Sequence, residues 1–187
     1  MTEPHERPLE DERSFVGVPD GFDRLWTPHR MAYVTGERPS EDAGEGCPFC
    51  AAPDKEDAEG LVVHRGRTCF VVMNLFPYNA GHVLVCPYRH VSLYIDLTDE
   101  ETHEFTALTK TAIRVLQETS NPHGFNLGMN QGAVAGAGVA AHLHQHVIPR
   151  WGGDMNFLPI IAQTKALPIL LEDARTALAT AWPTTER

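Results

Sequence analysis

The 187-residue sequence predicts an α+β fold, an antiparallel sheet with one long helix packed on it and extensions at the N- and C-termini. Two observations carry this. Short runs rich in β-branched residues, bounded by turn formers, dominate the middle of the chain. A single long stretch between them, Thr98 to Thr119, spaces its apolar residues as a helix does. Strands grouped around one helix, without regular alternation, suit an antiparallel sheet covered by helices.

The elements follow in order. Residues 1–20 are polar and acidic with scattered prolines and read as a flexible acidic N-terminus. Residues 21–187 read as a single domain. Phe22 to Val34 includes Leu25, Trp26, Met31 and Tyr33, enough apolar mass to dock somewhere. A polar loop at 36–60 is interrupted by Cys47-Pro48-Phe49-Cys50, and an ordered cysteine pair in such a loop needs a cause of order. Leu61–His64 and Cys69–Met73 read as strands around a turn at Gly66, and His82 to Cys86 as a third, ended by Pro87. Thr98 followed by Glu101 is a capping box. Phe105, Leu108, Ala112, Ile113 and Leu116 then line one helix face until Asn121-Pro122 stops it. Phe125–Met129 reads as a strand, Asn130 to Gly138 as a glycine-rich loop, and His142–Pro149 as another strand. Pro168–Trp182 closes the domain as an amphipathic helix with Leu171, Ala174, Leu178 and Ala181 on one face.

Composition excludes several functions. A hydrophobic content of 42% allows an ordinary core. No apolar run approaches the ~18 residues that a membrane span needs, and no export signal opens the chain, so a soluble cytoplasmic protein is expected. The net charge of −10 is uneven: residues 1–60 hold 15 acidic against 6 basic side chains, and residues 61–187 hold 10 against 9. Without a basic surface, nucleic acid is not an expected partner. A small anion still is, because a few positioned donors bind it without net positive charge.

His142-Leu143-His144-Gln145-His146 concentrates the chemistry. On a strand, the three imidazoles share one face at steps of roughly 6.6 Å, while Leu143 and Val147 point to the core. Three histidines on one face are costly to bury without partners, so they mark a site. Either they chelate a catalytic metal, or one is a nucleophile that its neighbours orient. The loop Gly132 to Gly138 bears on the choice: glycines let backbone N–H groups approach a phosphate, and a phosphate beside an imidazole suggests nucleotidyl or phosphoryl transfer.

At these residues a family resemblance emerges. Asn126 to Gly132 and His142 to Arg150, with Asn74 to Val85 upstream, resemble the histidine triad (HIT) superfamily of nucleotide hydrolases and transferases. Trp151 to Phe157 and Leu25 to Met31 look like a narrower branch containing bacterial diadenosine tetraphosphate phosphorylases. The resemblance implies a HIT-like fold, a homodimer, and a dinucleoside polyphosphate substrate. His144 would attack the α-phosphorus and become a transient nucleotidyl-histidine. His146 would contact the phosphate or the bridging oxygen, and the His142 backbone would fix the His144 tautomer. Asn74 would bind a ribose hydroxyl, and Asn130 and Gln131 phosphate oxygens beside the backbone of Gly136 and Gly138. Inorganic phosphate would be the acceptor in a phosphorylase and water in a hydrolase. The sequence departs from many family members in lacking a hydroxyl residue in Gly138-Val139-Ala140-Ala141.

Some members bind structural zinc through a cysteine pair and two histidines. The matching positions are Cys47, Cys50, His90 and His142, a closed Cys₂His₂ set. The remaining candidates read more simply: Cys69 and Cys86 as core residues, His82 as structural, His64, His103 and His123 as surface residues, and Arg150 and Lys165 as solvated charge.

Overall fold

The structure, a computed structural model, describes residues 46–154 and 167–184. The expected flexible N-terminus, the stretch Phe22 to Val34 and Lys165 lie outside the described residues. Five strands form one sheet: β1 (Val62–Arg65), β2 (Cys69–Met73), β3 (Val83–Pro87), β4 (Gly124–Met129) and β5 (Gln145–Arg150). Their order is β1-β2-β3-β5-β4, with every neighbouring pair antiparallel. Among the described residues three α-helices accompany them: α1 (Pro48–Ala51), a single turn; α2 (Asp99–Ser120), which links β3 to β4; and α3 (Leu171–Ala181).

β2 and β3 are buried along their whole length, which is why their sequences run apolar without alternation. Their side chains still alternate between two layers. Cys69, Val71, Met73, Val83 and Val85 meet Phe105, Leu108, Ala112 and Leu116 of α2 and Leu178 of α3. Phe70, Val72, Leu84 and Cys86 face the other way, toward Phe49 of α1 and Ala52 just after it. The second layer is thin, and the functional cavity opens on that side.

The capping box forms as expected. Thr98 Oγ1 accepts from the Glu101 amide at 3.2 Å, and the Glu101 carboxylate accepts from the Thr98 amide at 2.8 Å. Arg89 grips the same carboxylate with two N–H donors at 2.9 and 2.7 Å, holding it at a pKa of about 2. That pair ties the segment after β3, which carries His90, to the first turn of α2. At the other end of β3, Gly81 has φ +75°, and a Cβ there would sit 3.1 Å from Leu116 of α2. A side chain would be strained in both respects.

Two expectations change. The last strand begins at Gln145, three residues later than the alternation suggests. His142 to His144 approach it without ladder partners in the sheet, and the Leu143 amide donates instead to the Val91 carbonyl at 2.6 Å. The facing survives nonetheless: Leu143 and Val147 enter the core, and His146 pairs across from Leu84 on the opposite layer. His64 is not a plain surface residue, because it stacks on Trp182 at 4.9 Å after α3 packs against β1.

Candidate active site

A cavity of about 800 Å³ opens on the sheet face away from α2. His144 and His146 form its floor with Leu84, Phe49 stands on one side, and Asn74, Phe76 and Tyr78 stand on another. Asn130, Gly136, Gly138 and Val139 of the glycine-rich loop complete the wall. The three histidines of the motif do not converge. His144 and His146 face the cavity, while His142 turns toward the cysteine pair.

Hydrogen bonds assign the tautomers. His144 Nδ1 lies 2.8 Å from the His142 carbonyl oxygen, which can only accept, so Nδ1 carries the proton and Nε2 presents a lone pair. His82, fully buried beneath Tyr78, sets the opposite arrangement at His146. The Tyr78 amide donates to His82 Nδ1 at 3.0 Å, so the proton of His82 sits on Nε2. From there it is donated to His146 Nδ1 at 2.9 Å. His146 therefore carries its own proton on Nε2. Adjacent imidazoles, 5.1 Å apart, are thus prepared for opposite tasks, one as a nucleophile and the other as a hydrogen-bond donor.

Burial keeps both rings neutral. It lowers the His144 pKa, and together with the neighbouring His144 it lowers His146 to about 4. A neutral His144 keeps the lone pair that an attack on phosphorus requires. His82 is the participant that the sequence reading set aside as structural. Its fixed tautomer gives it a positioning role that one histidine after a glycine does not advertise.

The loop behaves as its glycines suggest. Gly132 and Gly136, at φ +83° and +85°, bracket the 3-10 turn Ala133–Ala135. A Cβ at Gly138 would meet nothing within 4 Å, leaving its backbone open to the cavity. Asn130 lines the cavity and its amide reaches the Gly136 carbonyl at 3.5 Å. Asn74 lines it too, with its side-chain oxygen accepting from the Phe76 amide at 3.1 Å. Gln131 is turned elsewhere: its side-chain oxygen accepts from the Tyr94 amide at 2.8 Å. Arg150 is occupied by Asp154, at 2.6 and 3.0 Å, and by Asn126.

Behind His144, ligating atoms of Cys47, Cys50, His90 and His142 all lie within 4.8 Å of one another. Among the described residues this is the only group of three or more His, Cys, Asp or Glu donors so arranged. Sulfur–nitrogen separations of 3.2 Å (Cys50 to His90), 3.4 Å (Cys50 to His142) and 3.5 Å (Cys47 to His142) join them. A zinc tetrahedron with Zn–S of ~2.3 Å and Zn–N of ~2.0–2.1 Å needs sulfur–nitrogen edges of about 3.5 Å, so the residues fit the metal. His142 Nε2–H donates to the Pro87 carbonyl at 2.9 Å, which aims Nδ1 at the thiols. His144 and His146 stand outside this group. Phe49, between the two cysteines in sequence, packs its ring 4.8 Å from His144 and 5.6 Å from His142.

Comparison with known proteins agrees with this architecture. The HIT domain family model matches residues 55–153. A Mycobacterium tuberculosis protein named AP-4-A phosphorylase is 50% identical over 184 residues, covering 95% of this chain and 94% of that protein. Among solved structures, a zinc-bound histidine triad family protein from Mycobacterium smegmatis superposes with a TM-score of 0.59 at 24% identity, covering 74% of this chain and 94% of that one. A hypothetical histidine triad nucleotide-binding protein from Sulfolobus tokodaii gives a TM-score of 0.59 at 25% identity, covering 72% and 91%. The fold, the motif and these likenesses together show that the chain belongs to the HIT domain family.

Proposed function

We propose that this protein is a nucleotidyl-transferring enzyme that cleaves a dinucleoside polyphosphate with inorganic phosphate, turning diadenosine tetraphosphate into ADP and ATP. The observation that carries the reading is the pair of opposed tautomers at His144 and His146. His144 Nε2 attacks the α-phosphorus of one adenosine, forming an N–P bond as the bond to the bridging oxygen breaks. ATP departs with that oxygen. His146 Nε2–H hydrogen-bonds the departing oxygen, and a polyphosphate oxygen leaves near neutral pH without taking that proton. Inorganic phosphate then attacks the nucleotidyl-histidine, releasing ADP and restoring the His144 lone pair.

The other residues bind and orient. Asn74 holds a ribose hydroxyl, and Asn130 with the backbone at Gly136 and Gly138 holds phosphate oxygens. The backbone thereby answers for the hydroxyl missing before the triad. Gln131 would have to leave the Tyr94 amide to join them. Cys47, Cys50, His90 and His142 would hold a structural zinc, which when bound supplies order to the loop carrying Phe49. The mycobacterial relative's name supports the substrate, and its phosphorylase activity supports phosphate as acceptor.

Homodimerisation belongs to the same reading. Among the described residues β4 is the edge strand beside β5, and Leu127 on it is half exposed, which supports a contact between copies there. A cytoplasmic location belongs to the same reading and is supported by the free thiols of Cys69 and Cys86, since thiols persist in reducing compartments. No helix of the described residues is long and apolar enough to cross a membrane.

Product analysis with diadenosine tetraphosphate, with and without phosphate, tests the proposal in wild type and His144→Asn. ADP and ATP appearing only with phosphate, and lost in the variant, are expected. AMP and ATP without phosphate would make water the acceptor. Undiminished turnover by His144→Asn would overturn the nucleophile assignment.

A further inference from the structure

Of the Phe, Tyr and Trp rings among the described residues, the two most exposed, Phe76 and Tyr78, both line the reactive cavity. Tyr78 is half exposed and engaged, stacked on His146 at 5.5 Å with an interplanar angle of 16°. Phe76 is 80% exposed. Solvated apolar rings of this size are usually covered by something. Here the backbone beneath them is fixed. The Phe76 amide donates to the Asn74 side chain and the Tyr78 amide to His82, so one cavity residue and one buried histidine pin the loop that presents both rings.

The rings are also ordered in space. Phe49 lies 4.8 Å from His144, His144 lies 5.1 Å from His146, and His146 lies 5.5 Å from Tyr78. The line runs from the attacking imidazole, across the imidazole that holds the departing oxygen, to the loop bearing Phe76. A leaving group that passes over His146 meets that loop next. In the reaction proposed above the leaving group is a nucleoside triphosphate, whose far end is a second purine. A purine face stacks well on an exposed aromatic ring, whatever its hydrogen-bonding edge.

We infer that Phe76 is a stacking platform for the second, departing nucleoside, and so selects dinucleoside over mononucleoside polyphosphates. The inference rests on the proposed function, because only a two-nucleoside donor places a base there. Single bases stacked on protein aromatics lose about 1–3 kcal/mol on alanine substitution, and an exposed ring belongs at the low end, an effect of about five- to tenfold.

The test compares diadenosine tetraphosphate with adenosine 5′-tetraphosphate, which keeps the reactive phosphates and lacks the second adenosine. Both are assayed with inorganic phosphate, in wild type, Phe76→Ala and Phe76→Trp. Phe76→Ala should raise KM for diadenosine tetraphosphate about five- to tenfold with kcat within twofold. KM for adenosine 5′-tetraphosphate should stay within twofold, and Phe76→Trp should restore the wild-type preference. An equal change on both donors, or on neither, would overturn the inference while leaving the proposed function intact. A shift of Phe76→Ala to smaller mass in size-exclusion chromatography without a donor-selective KM change would assign the ring to a contact between copies, and overturns it too. Wild type that turns over neither donor would defeat both the proposed function and the inference.

Discussion

Replacing His82 with phenylalanine keeps a ring of similar size beneath Tyr78 but removes both nitrogens that transmit tautomer order. Three groups lose a contact: the Tyr78 amide, which donates to His82 Nδ1 at 3.0 Å, the Asn74 side-chain amide, 3.3 Å from the same nitrogen, and His146 Nδ1, which accepts at 2.9 Å. A buried donor left unsatisfied costs about 1–3 kcal/mol, and the Tyr78 amide is only part-buried, so His82→Phe should lower unfolding free energy by the low end of that range and still fold. At His146 the loss is one orienting hydrogen bond, worth about 0.5–1.5 kcal/mol net, or roughly 2- to 12-fold in rate. Removing the donor itself by His146→Ala should cost more, about 10²–10³-fold, as for other donors to a developing oxyanion. Single-turnover release of ATP from diadenosine tetraphosphate isolates this step from phosphate attack. The double variant decides the matter: once His146 is gone, His82→Phe should slow the reaction no further. Additive effects of the two substitutions, or a His82→Phe loss equal to that of His146→Ala, would refute the reasoning that His82 acts through His146.

Further outcomes follow from the same geometry. Burial, then the neighbouring His144, lowers His146 from 6.5 to about 4, so the unfolded chain binds more protons between those values. Stability from this group is complete above about pH 6.5 and lost as pH falls toward 4, at up to about 1.4 kcal/mol per pH unit. Urea unfolding at pH 7, 6 and 5 should therefore show a shallower pH slope in His146→Phe than in wild type, and identical slopes would contradict it. Metal analysis should find about one zinc per chain in wild type and in His144→Asn, and loss of the metal with a lower unfolding midpoint in Cys50→Ser. Loss of zinc in His144→Asn would instead make the triad the metal site. Gly138→Ala adds a methyl that meets no atom within 4 Å, so its melting temperature should stay within a few degrees of wild type. Its KM for diadenosine tetraphosphate should rise about tenfold or more if the backbone there must touch phosphate oxygens; an unchanged KM would remove Gly138 from the binding wall.

Much of the fold was legible because local signals and tertiary packing agree. Cys69–Met73 is a strand in both readings, since its β-branched run is buried on both faces between turns. Thr98 and Glu101 mark the start of α2 because a capping box is a local structure. The start of β5 was misread because alternation reports the facing of residues and says nothing of ladder partners, and Leu143 bonds to Val91 outside the sheet. At the site, His144 and His146 announce themselves by spacing. His82 does not: its partner His146 lies 64 positions away, and its other nitrogen meets a backbone amide and the Asn74 side chain. Gln131 shows the same limit, since an amide beside a glycine loop looks suited to phosphate and does not announce the Tyr94 backbone amide that its oxygen accepts from. His64 drew its partner Trp182 from the far end of the chain, a pairing that neither segment encodes alone.

His142 is a single residue answering to two masters. Its ring nitrogen faces Cys47 and Cys50, its other nitrogen is spent on Pro87, and its carbonyl holds the proton of His144. The proposed metal site and the nucleophile therefore share one peptide unit, and linkage makes their relationship reciprocal. Whatever factor metal binding contributes to nucleotide affinity, nucleotide binding must return to metal affinity. A substitution at position 142 strikes the metal site directly, through the ring, and reaches His144 only through the placement of the carbonyl that it leaves behind. His142→Cys, which exchanges one zinc-binding side chain for another, set against His142→Ala, which keeps the carbonyl alone, separates the two debts.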